Sequence, residues 1–436
     1  MIESTSITKD SPHFSLIPYH LSLLPSMHLR SFQGLVPVPE KASAVAAVPY
    51  DVVNREESKA LASGNPLSLL HVDRAEIDLP DSVDAYDAQV YAKASENFQK
   101  LQRDGVLVRE AAPTMYLYRQ VMGKHAQTGL VAVCHIEDYE NDIIRKHEKT
   151  RKVKEDDRTR LVDALSANTG PIFLTYRDHA GVLALTKQHE NHDAPIYDFT
   201  APDGIQHQVW RLPVETCAKI TALFETEIPL AYVADGHHRS ASAARVGKER
   251  REKNPLHTGT ENYNWFLNVL FPASELKILP YNRVVRDLNG GSAEAFLQKV
   301  SSIFKVTPNG KKEPAQQGQC CMLLESQWYQ LDWIPAANAS PVDALDVEIL
   351  QSRLLAPVLG IEDPRTSERI DFIGGIRGVA ELEKLVNSGK FAVAFSMYPT
   401  TVKQLMDIAD AGQIMPPKST WFEPKLRSGL FIHTLD

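Results

Sequence analysis

Apolar residues recur at helical spacing in several stretches of the chain. Between Asp84 and Asp104 they stand three or four positions apart, which predicts an amphipathic helix that ends at Gly105. Other segments with helical character lie at 51–64, 150–165, 214–224, 240–252 and 402–411. The pattern therefore predicts helices distributed along the whole chain.

Short apolar runs between turn residues predict strands. These runs lie at 42–48, 114–120, 128–136, 172–176, 209–212, 230–234, 265–271, 319–325, 391–397 and 430–434. Gly123 lies between the second and third runs, so a hairpin is expected there. Because helices and strands alternate throughout, the predicted fold class is mixed, α/β or α+β.

The length of 436 residues exceeds what one small core needs and fits two or three domains. Residues 1–30 lack the basic start and long apolar core of a secretory signal, and we expect a loose extension. The composition shifts to Asn, Gly and Ser near residue 285. We therefore expect a main domain at 31–285 and a C-terminal α/β domain at 286–436, which contributes a loop around Lys418.

Composition and charge narrow the function classes. A net charge of −8 disfavours a general nucleic-acid binder, and no run approaches the 18 apolar residues of a membrane span. Four cysteines without a Cys-x-x-Cys pair argue against a disulfide framework or a thiolate zinc site. We expect a cytoplasmic protein that acts on a small-molecule substrate. The oligomeric state does not follow from the sequence.

The most informative segment reads as a strand, a turn and an Ala-rich helix, with Ala-Asp-Gly-His-His-Arg at residues 234–239. Gly236 permits a tight turn and a close approach to a ligand. Amides that open the next helix favour an anion, and Arg239 can hold a phosphate through two parallel hydrogen bonds. These features predict an anion site at the turn.

The remaining side chains of this turn suit proton and metal chemistry. Asp235 can ligate Mg²⁺ or accept a proton. His237 and His238 ordinarily titrate near neutral pH and can shuttle protons. The alternative is a simple turn with a capping Asp and a solvated Arg.

Residues 143–160 form the most charged stretch, with eight Lys or Arg and four Asp or Glu. Glu148 is the only acid in its first half, and the surrounding cations predict that it stays ionised as a metal ligand or base. Arg151 and Arg158 lie two helical turns apart and can share one face. The alternative is a solvated charged helix.

A proline-rich segment at 415–429 carries three bases and one acid. Its three prolines fix an irregular backbone that presents Lys418, Ser419, Thr420, Lys425 and Arg427. This balance suits an anionic ligand, although a rigid surface loop is equally compatible. Pro49-Tyr50-Asp51 either lines a cleft or forms a structural turn.

With these segments the chain resembles the domain-of-unknown-function family 1015. The similar stretches are 48–53, 65–66, 147–150 with 157–158, 234–239, 279–283 and 415–420. The double-His turn and its Ala-rich helix also resemble the ParB/sulfiredoxin superfamily, which includes CTP-binding ParB, sulfiredoxin and nucleotide-dependent free serine kinases. This second resemblance implies a ParB/sulfiredoxin-like core, with added N-terminal elements and the C-terminal domain.

The resemblance implies a phosphotransferase that acts on a small hydroxylated metabolite, with free serine as the first candidate. The donor would be a nucleotide or pyrophosphate, with Mg²⁺ bridging its oxygens. The alternatives are a phosphatase at the same site, a ParB-like nucleotide-binding regulator and a purely structural role. In that superfamily an acid from a neighbouring segment helps catalysis or holds Mg²⁺, and Glu148 is the candidate here.

The residues and the resemblance together predict the following site. The expected catalytic residues are Glu148, Asp235, His237 and His238, of which Glu148 and Asp235 are also the expected metal ligands. Phosphate or substrate binding is expected from Arg145, His147, Thr150, Arg151, Arg158, Gly236, Arg239, Ser240, Lys418, Ser419 and Thr420.

Overall fold

A computed structural model of the protein describes residues 26–436. Its α-helices are α1 (Ala42–Val45), α2 (Arg55–Ala62), α3 (Leu70–Asp73), α4 (Ala88–Arg103), α5 (Ile136–Glu140), α6 (Lys152–Leu165), α7 (Ala180–His192), α8 (Val214–Glu227), α9 (His237–Lys253), α10 (Ala293–Ile303), α11 (Asp346–Leu350), α12 (Gly378–Asn387) and α13 (Val402–Asp410). Its strands are β1 (Leu29–Arg30), β2 (Leu35–Pro37), β3 (Leu107–Arg109), β4 (Tyr116–Met122), β5 (His125–His135), β6 (Ile144–Arg145), β7 (Ala167–Asn168), β8 (Ile172–Tyr176), β9 (Tyr197–Thr200), β10 (Gln206–Arg211), β11 (Ala231–Asp235), β12 (Trp265–Pro272), β13 (Lys277–Leu279), β14 (Tyr281–Val285), β15 (Lys305–Pro308), β16 (Gln319–Leu324), β17 (Gln327–Asp332), β18 (Ile370–Gly374), β19 (Val393–Met397), β20 (Trp421–Glu423) and β21 (His433–Thr434). The fold class is mixed α/β, as predicted.

A nine-stranded mixed sheet carries the site. Its order is β6-β11-β8-β12-β5-β4-β10-β9, and β1 pairs with β5 beyond the end of β4. The pairs β6–β11 and β8–β12 are parallel, and the other pairs are antiparallel. Because β11 and β8 are antiparallel, the end of β11 at Asp235 lies beside the start of β8, opposite Phe173.

Both faces of this sheet are buried, which explains the continuous apolar runs of β5 and β8. Val131 and Val133 belong to one core cluster, while Leu130, Ala132 and Cys134 belong to another. Helices α7, α8 and α9 cover the face that carries Leu130, Ala132 and Cys134. The face that carries Val131 and Val133 packs against the C-terminal half of the chain, including its second sheet. The nine-stranded sheet is therefore a middle layer.

The second sheet is antiparallel, six-stranded and ordered β15-β17-β16-β19-β14-β18. The chain enters it at β14, just before the expected boundary at residue 285, and leaves it after β19. The last residues then return to the first half of the molecule, where β21 pairs with β7. The domain boundaries stay a prediction, since the chain passes between the two parts more than once.

Residues 1–25 of the expected loose extension lie outside the described residues. Further along, Leu29 and Arg30 pair with Cys134 and Val133 of β5, so ordered structure begins before residue 31. Among the described helices, none combines the length and apolarity that a bilayer crossing needs.

Most predicted elements are found within a few residues of their expected ends, and the hairpin at Gly123 is confirmed. The strand predicted at 42–48 is wrong, because that segment forms the short helix α1. A Pro39–Lys41 helical turn leads into it, and Ala42 and Val45 are buried at helical spacing. The strand predicted at 430–434 shrinks to β21.

Candidate functional site

The Gly236 turn connects β11 directly to α9. Gly236 has a φ of +94°, a left-handed conformation that other residues adopt only with strain. A Cβ atom there would meet Arg239 Nε at 3.6 Å, an ordinary contact, so the backbone angle and not space requires glycine. The helix starts at His237, earlier than predicted, because it follows this turn immediately.

The N-terminus of α9 is open to an anion. The first intrahelical hydrogen bond is donated by the Ser240 amide to the Gly236 carbonyl, at 2.9 Å. No side chain caps the helix, so the amides of His237, His238 and Arg239 have no acceptor within it. Three aligned amides at the positive end of a helix dipole form a natural anion site.

A cleft of about 530 Å³ opens in front of this turn. It is lined by the Gly236 turn, by the charged stretch at 143–160 (the basic segment), by the proline-rich segment at 415–429 and by residues 50–52. Three stretches that are distant in sequence thus meet at one place. Predicted site residues that line the cleft are Glu148, Thr150, Arg151, Asp235, Gly236, His237, His238, Arg239, Lys418 and Thr420.

The cleft is cationic although the chain is acidic. Its acids are Asp51, Glu148 and Asp235, and its cations are Lys149, Arg151, Lys154, Arg239, Arg365, Lys418 and Lys425. Seven cations against three acids give a local excess of positive charge in a chain of net charge −8. Such a local field attracts anionic ligands.

Asp235 is paired with a lysine. Its Oδ2 accepts a hydrogen bond from Lys425 Nζ at 2.7 Å, and its Oδ1 accepts one from the Gly236 amide at 2.8 Å. Burial by itself would raise the pKa of Asp235, but the charges of Lys425 and Arg239 outweigh it and hold that pKa well below its ordinary value. Asp235 is therefore a fixed carboxylate, and proton acceptance is a poor role for it.

The pKa values of both histidines of the turn are lowered, whereas the sequence predicted titration near neutral pH. Burial lowers the pKa of His237 to about 4, and it also lowers the pKa of His238. His238 Nε2 accepts a hydrogen bond from the Arg151 amide at 3.0 Å, which ties the turn to the basic segment. Desolvation, which a sequence pattern does not reveal, keeps His237 neutral at pH 7.

Glu148 lines the cleft beside these groups. Burial raises its pKa, the charge of Lys418 lowers it and the charge of Asp235 raises it, with a net upward shift. The sequence predicted the opposite direction, from the neighbouring cations alone. A carboxyl group with a raised pKa is suited to proton transfer near neutral pH.

His147 lies beneath the cleft against His237. The two rings meet edge to face with centroids 4.4 Å apart, and both side chains are buried. Together with Glu148 they form a group whose potential ligand atoms all lie within 4.8 Å of one another. The metal pair predicted from the sequence was Glu148 with Asp235, which stays a prediction.

Two predicted arginines do not reach the cleft. Arg158 is buried, and its guanidinium donates to Asp157 at 2.8 Å and to the Asp73 carbonyl at 3.2 Å. Arg145 forms an ion pair with Asp410 and lines a separate, adjoining groove of about 830 Å³. Arg158 is neutralised by its sequence neighbour Asp157, whereas Arg145 is neutralised by Asp410, which is far away in the sequence.

Two predicted hydroxyls are also directed elsewhere. Ser240 is fully buried and its Oγ donates to the Gly236 carbonyl at 3.1 Å. Ser419 is buried and its Oγ donates to the Pro416 carbonyl at 2.6 Å. Both hydroxyls stabilise the backbone that supports the cleft and do not line it.

Several cleft residues had no assigned role in the predicted site. Lys154 follows Arg151 by one helical turn, so its place in the cleft could have been predicted from the spacing. Lys425 was expected on the basic loop, but its pairing with Asp235 had no sequence signal. Arg365 comes from a loop that no motif marks.

Comparison with known proteins gives weak structural similarities. One is to the free serine kinase in complex with AMP, at 12% identity and a TM-score of 0.35, covering 69% of this chain and 92% of that chain. Another is to SbnI with C-terminal truncation from Staphylococcus aureus, at 12% identity and a TM-score of 0.36, covering 69% and 87%. A third is to a conserved hypothetical protein from Pyrococcus furiosus, at 11% identity and a TM-score of 0.34, covering 69% and 94%. At these values nothing about ligands or activity follows for this chain.

No curated protein matches the chain. A family profile described as "Protein of unknown function (DUF1015)" does match it, over residues 29–348. This match covers well over half of the sequence and includes the basic segment and the Asp-Gly-His-His-Arg turn. The chain therefore belongs to the DUF1015 family.

Proposed function

We propose that the cleft binds a phosphorylated donor and transfers its phosphoryl group to a small hydroxylated metabolite. The observation that carries the proposal is the convergence of the uncapped helix start at His237 with cations from separate segments. The cleft volume of about 530 Å³ falls in the range of about 300–1,000 Å³ that is usual for small-molecule sites.

The donor's phosphates would lie against the start of α9. The amides there and the guanidinium of Arg239 supply hydrogen-bond donors for phosphate oxygens. Arg239 is positioned by a 2.8 Å hydrogen bond to the Pro171 carbonyl, while its buried Nε has no partner among the described residues. An unpartnered buried donor beside a cleft favours an anionic ligand over solvent.

Lys418 and Lys425 would neutralise the moving phosphoryl group. Lys418 lies in a left-handed backbone conformation with Nζ 5.3 Å from the centre of the Tyr281 ring. Lys425 is anchored by Asp235 and also approaches the Trp421 ring, at 5.1 Å. Charges that are held in place before the reaction stabilise a developing charge better than mobile ones do.

Glu148 would act as the base toward the acceptor hydroxyl. It lines the same cleft as the cations, and burial raises its pKa, which makes the ionised carboxylate a stronger base. In this scheme the hydroxyl oxygen attacks phosphorus, Glu148 takes the hydroxyl proton, and the donor's bridging oxygen leaves with its bond electrons.

Free serine is the first acceptor to test. Its carboxylate would be matched by a cation such as Arg151, and its ammonium group by the exposed Asp51. A cleft that presents both charge signs accommodates a zwitterion better than a purely cationic one would.

The residues of the cleft are poorly suited to hold a resident Mg²⁺. Mg²⁺ requires oxygen ligands in octahedral geometry. Both Asp235 oxygens already accept hydrogen bonds, and the other potential ligands grouped with Glu148 are two imidazoles. Mg²⁺ is therefore expected to arrive with the donor's phosphates, and no step of the scheme depends on a protein-held Mg²⁺.

The direct test is to incubate the protein with serine and MgCl₂ in the presence of ATP, ADP or pyrophosphate. Phosphoserine, detected by ³¹P NMR or mass spectrometry, is the expected product. The matched pair of variants is Lys418→Ala, in the cleft, and Lys146→Ala, whose Nζ pairs with Asp142 at 2.7 Å in the adjoining groove. Lys418→Ala should lose product formation, and Lys146→Ala should keep it.

Absence of any phosphorylated product with all three donors, across a panel of small hydroxylated acceptors, contradicts the proposal. Release of phosphate from phosphoserine without nucleotide would instead assign the cleft to a phosphatase. Tight nucleotide binding without turnover would assign it to a regulatory protein.

A further inference from the structure

The buried nitrogens of His147 and His237 lack partners. Neither ring nitrogen of His147, nor Nε2 of His237, has a hydrogen-bond partner among the described residues. Their residues are 2% and 6% exposed. Buried polar atoms in folded proteins nearly always have a partner, so three unpartnered nitrogens in one place call for a missing water or ion.

A third potential ligand completes the group. Atoms of His147, His237 and Glu148 lie within 4.8 Å of one another. Ligands at about 2.1 Å from one tetrahedral ion lie about 3.4 Å apart, so a contraction on the order of one ångström would form the site. Side-chain rotation can supply a change of this size.

The two histidines are held by independent elements. The His147 carbonyl accepts a hydrogen bond from the Met415 amide at 2.8 Å, which fixes it between the basic and proline-rich segments. His237 opens α9 directly after the left-handed Gly236. Ligands that are positioned by the backbone before an ion arrives favour binding.

The ligand types select the class of ion. Two imidazoles and one carboxylate suit first-row transition metals such as Zn²⁺, Mn²⁺ and Fe²⁺, whereas Mg²⁺ prefers oxygen alone. Three protein ligands leave coordination positions open. Because Glu148 and His237 line the cleft, those positions would face its interior.

We propose that His147, His237 and Glu148 bind one divalent transition-metal ion, of the Zn²⁺ type, at the floor of the cleft. The ion would supply the missing partner of the buried imidazoles and offer a Lewis acid to a ligand in the cleft. The proposal does not depend on phosphoryl transfer, because metal binding can be measured without any substrate.

The test uses the full-length protein after treatment with a chelator. Titration with Zn²⁺ in a calorimeter should show one ion bound per chain. His147→Ala and His237→Ala should each weaken that binding by more than about 100-fold, since loss of outer-shell groups alone costs about 10- to 100-fold. Glu148→Gln should weaken it by at least about 10- to 100-fold, because a neutral amide replaces a direct carboxylate ligand and loss of an outer-shell group already costs that much.

The matched control is His207→Ala. His207 is also a buried histidine with an unpartnered Nε2, but it lies on β10 and belongs to no group of three potential metal ligands among the described residues. It should bind Zn²⁺ as the wild type does. Absence of Zn²⁺ binding by the wild type, or wild-type affinity in all three ligand variants, overturns the proposal.

A measurement on the wild type covers the case in which the variants fail to fold. X-ray absorption of the Zn²⁺-loaded protein should show only nitrogen and oxygen ligands, with the multiple scattering that imidazole produces. Sulfur in the first shell, or no imidazole signal, would place the ion elsewhere and refute the site.

Discussion

The cleft and the adjoining groove share Glu148, Lys149 and Thr150 but differ in how their charges are balanced. In the groove, Arg145 pairs with Asp410, and Lys146 pairs with Asp142. In the cleft, the cations outnumber the acids by seven to three. Two neighbouring pockets built partly from one basic segment therefore differ in local charge, because the groove is lined by as many acids as cations, while the cleft keeps an excess of cations.

The same contrast separates Arg158 from its neighbours on the basic segment. Arg158 is buried and bound to Asp157, whereas Arg151 is exposed and faces the cleft. A cation with a buried carboxylate partner serves stability, and a cation without one is available to a ligand. The following predictions test this distinction.

Arg158→Ala should have the largest effect on stability. It removes the cationic partner of the buried Asp157 carboxylate, which keeps its hydrogen bond from the Tyr91 hydroxyl, and breaking such an ion pair costs about 3–5 kcal/mol. Urea denaturation measures the loss, with the exposed Arg160→Ala on the same helix as the control. A loss below about 1 kcal/mol would show that the pair is not structural.

Glu148→Gln should reduce turnover far more than donor binding. Removal of a general base lowers the rate by about 10²- to 10⁴-fold, while a neutral isostere leaves the shape of the cleft intact. Steady-state kinetics and calorimetry with the donor measure the two effects. Glu249→Gln, which pairs with Arg245 on the outer part of α9, is the control. Equal losses in binding and turnover would argue against a role in proton transfer.

Arg239→Ala should weaken phosphate-ligand affinity by about 2–3 kcal/mol, because a charge-assisted hydrogen bond in a partly buried site is lost. Arg145→Ala, in the groove, should leave that affinity nearly unchanged, since its charge is already matched by Asp410. Calorimetry with the phosphate donor compares the two. A stronger effect of Arg145→Ala would invert the assignment of cleft and groove.

A buried histidine should change the pH dependence of stability below pH 6.5, and of the four changes it should have the smallest effect at neutral pH. Burial lowers the pKa of His433 to about 4, while its Nε2 bonds the Asn262 carbonyl. The unfolded chain then binds the extra proton between pH 6.5 and 4, so His433 removes up to about 1.4 kcal/mol of stability per unit as pH falls through that window. His433→Gln should flatten the profile there, and an unchanged profile would contradict the low pKa.

Local patterns predicted much of the architecture. Helix α4, the β4–β5 hairpin and strand β8 follow from periodicity and turn residues, since those signals act over a few neighbouring residues. The prediction for residues 42–48 was wrong because a short apolar run fits either a strand or a helix. The site segments could be identified for the same reason, since each is compact in sequence.

Composition and spacing were enough to identify the Gly236 turn, the basic segment and the proline-rich segment, because the residue type alone determines which functional group a side chain carries. Charge states and partners required the folded chain. The raised pKa of Glu148, the Lys425–Asp235 pair and the contact of His147 with His237 all depend on burial and on residues far away in sequence. Desolvation and long-range electrostatics arise only when such segments are packed together, and no local pattern encodes them.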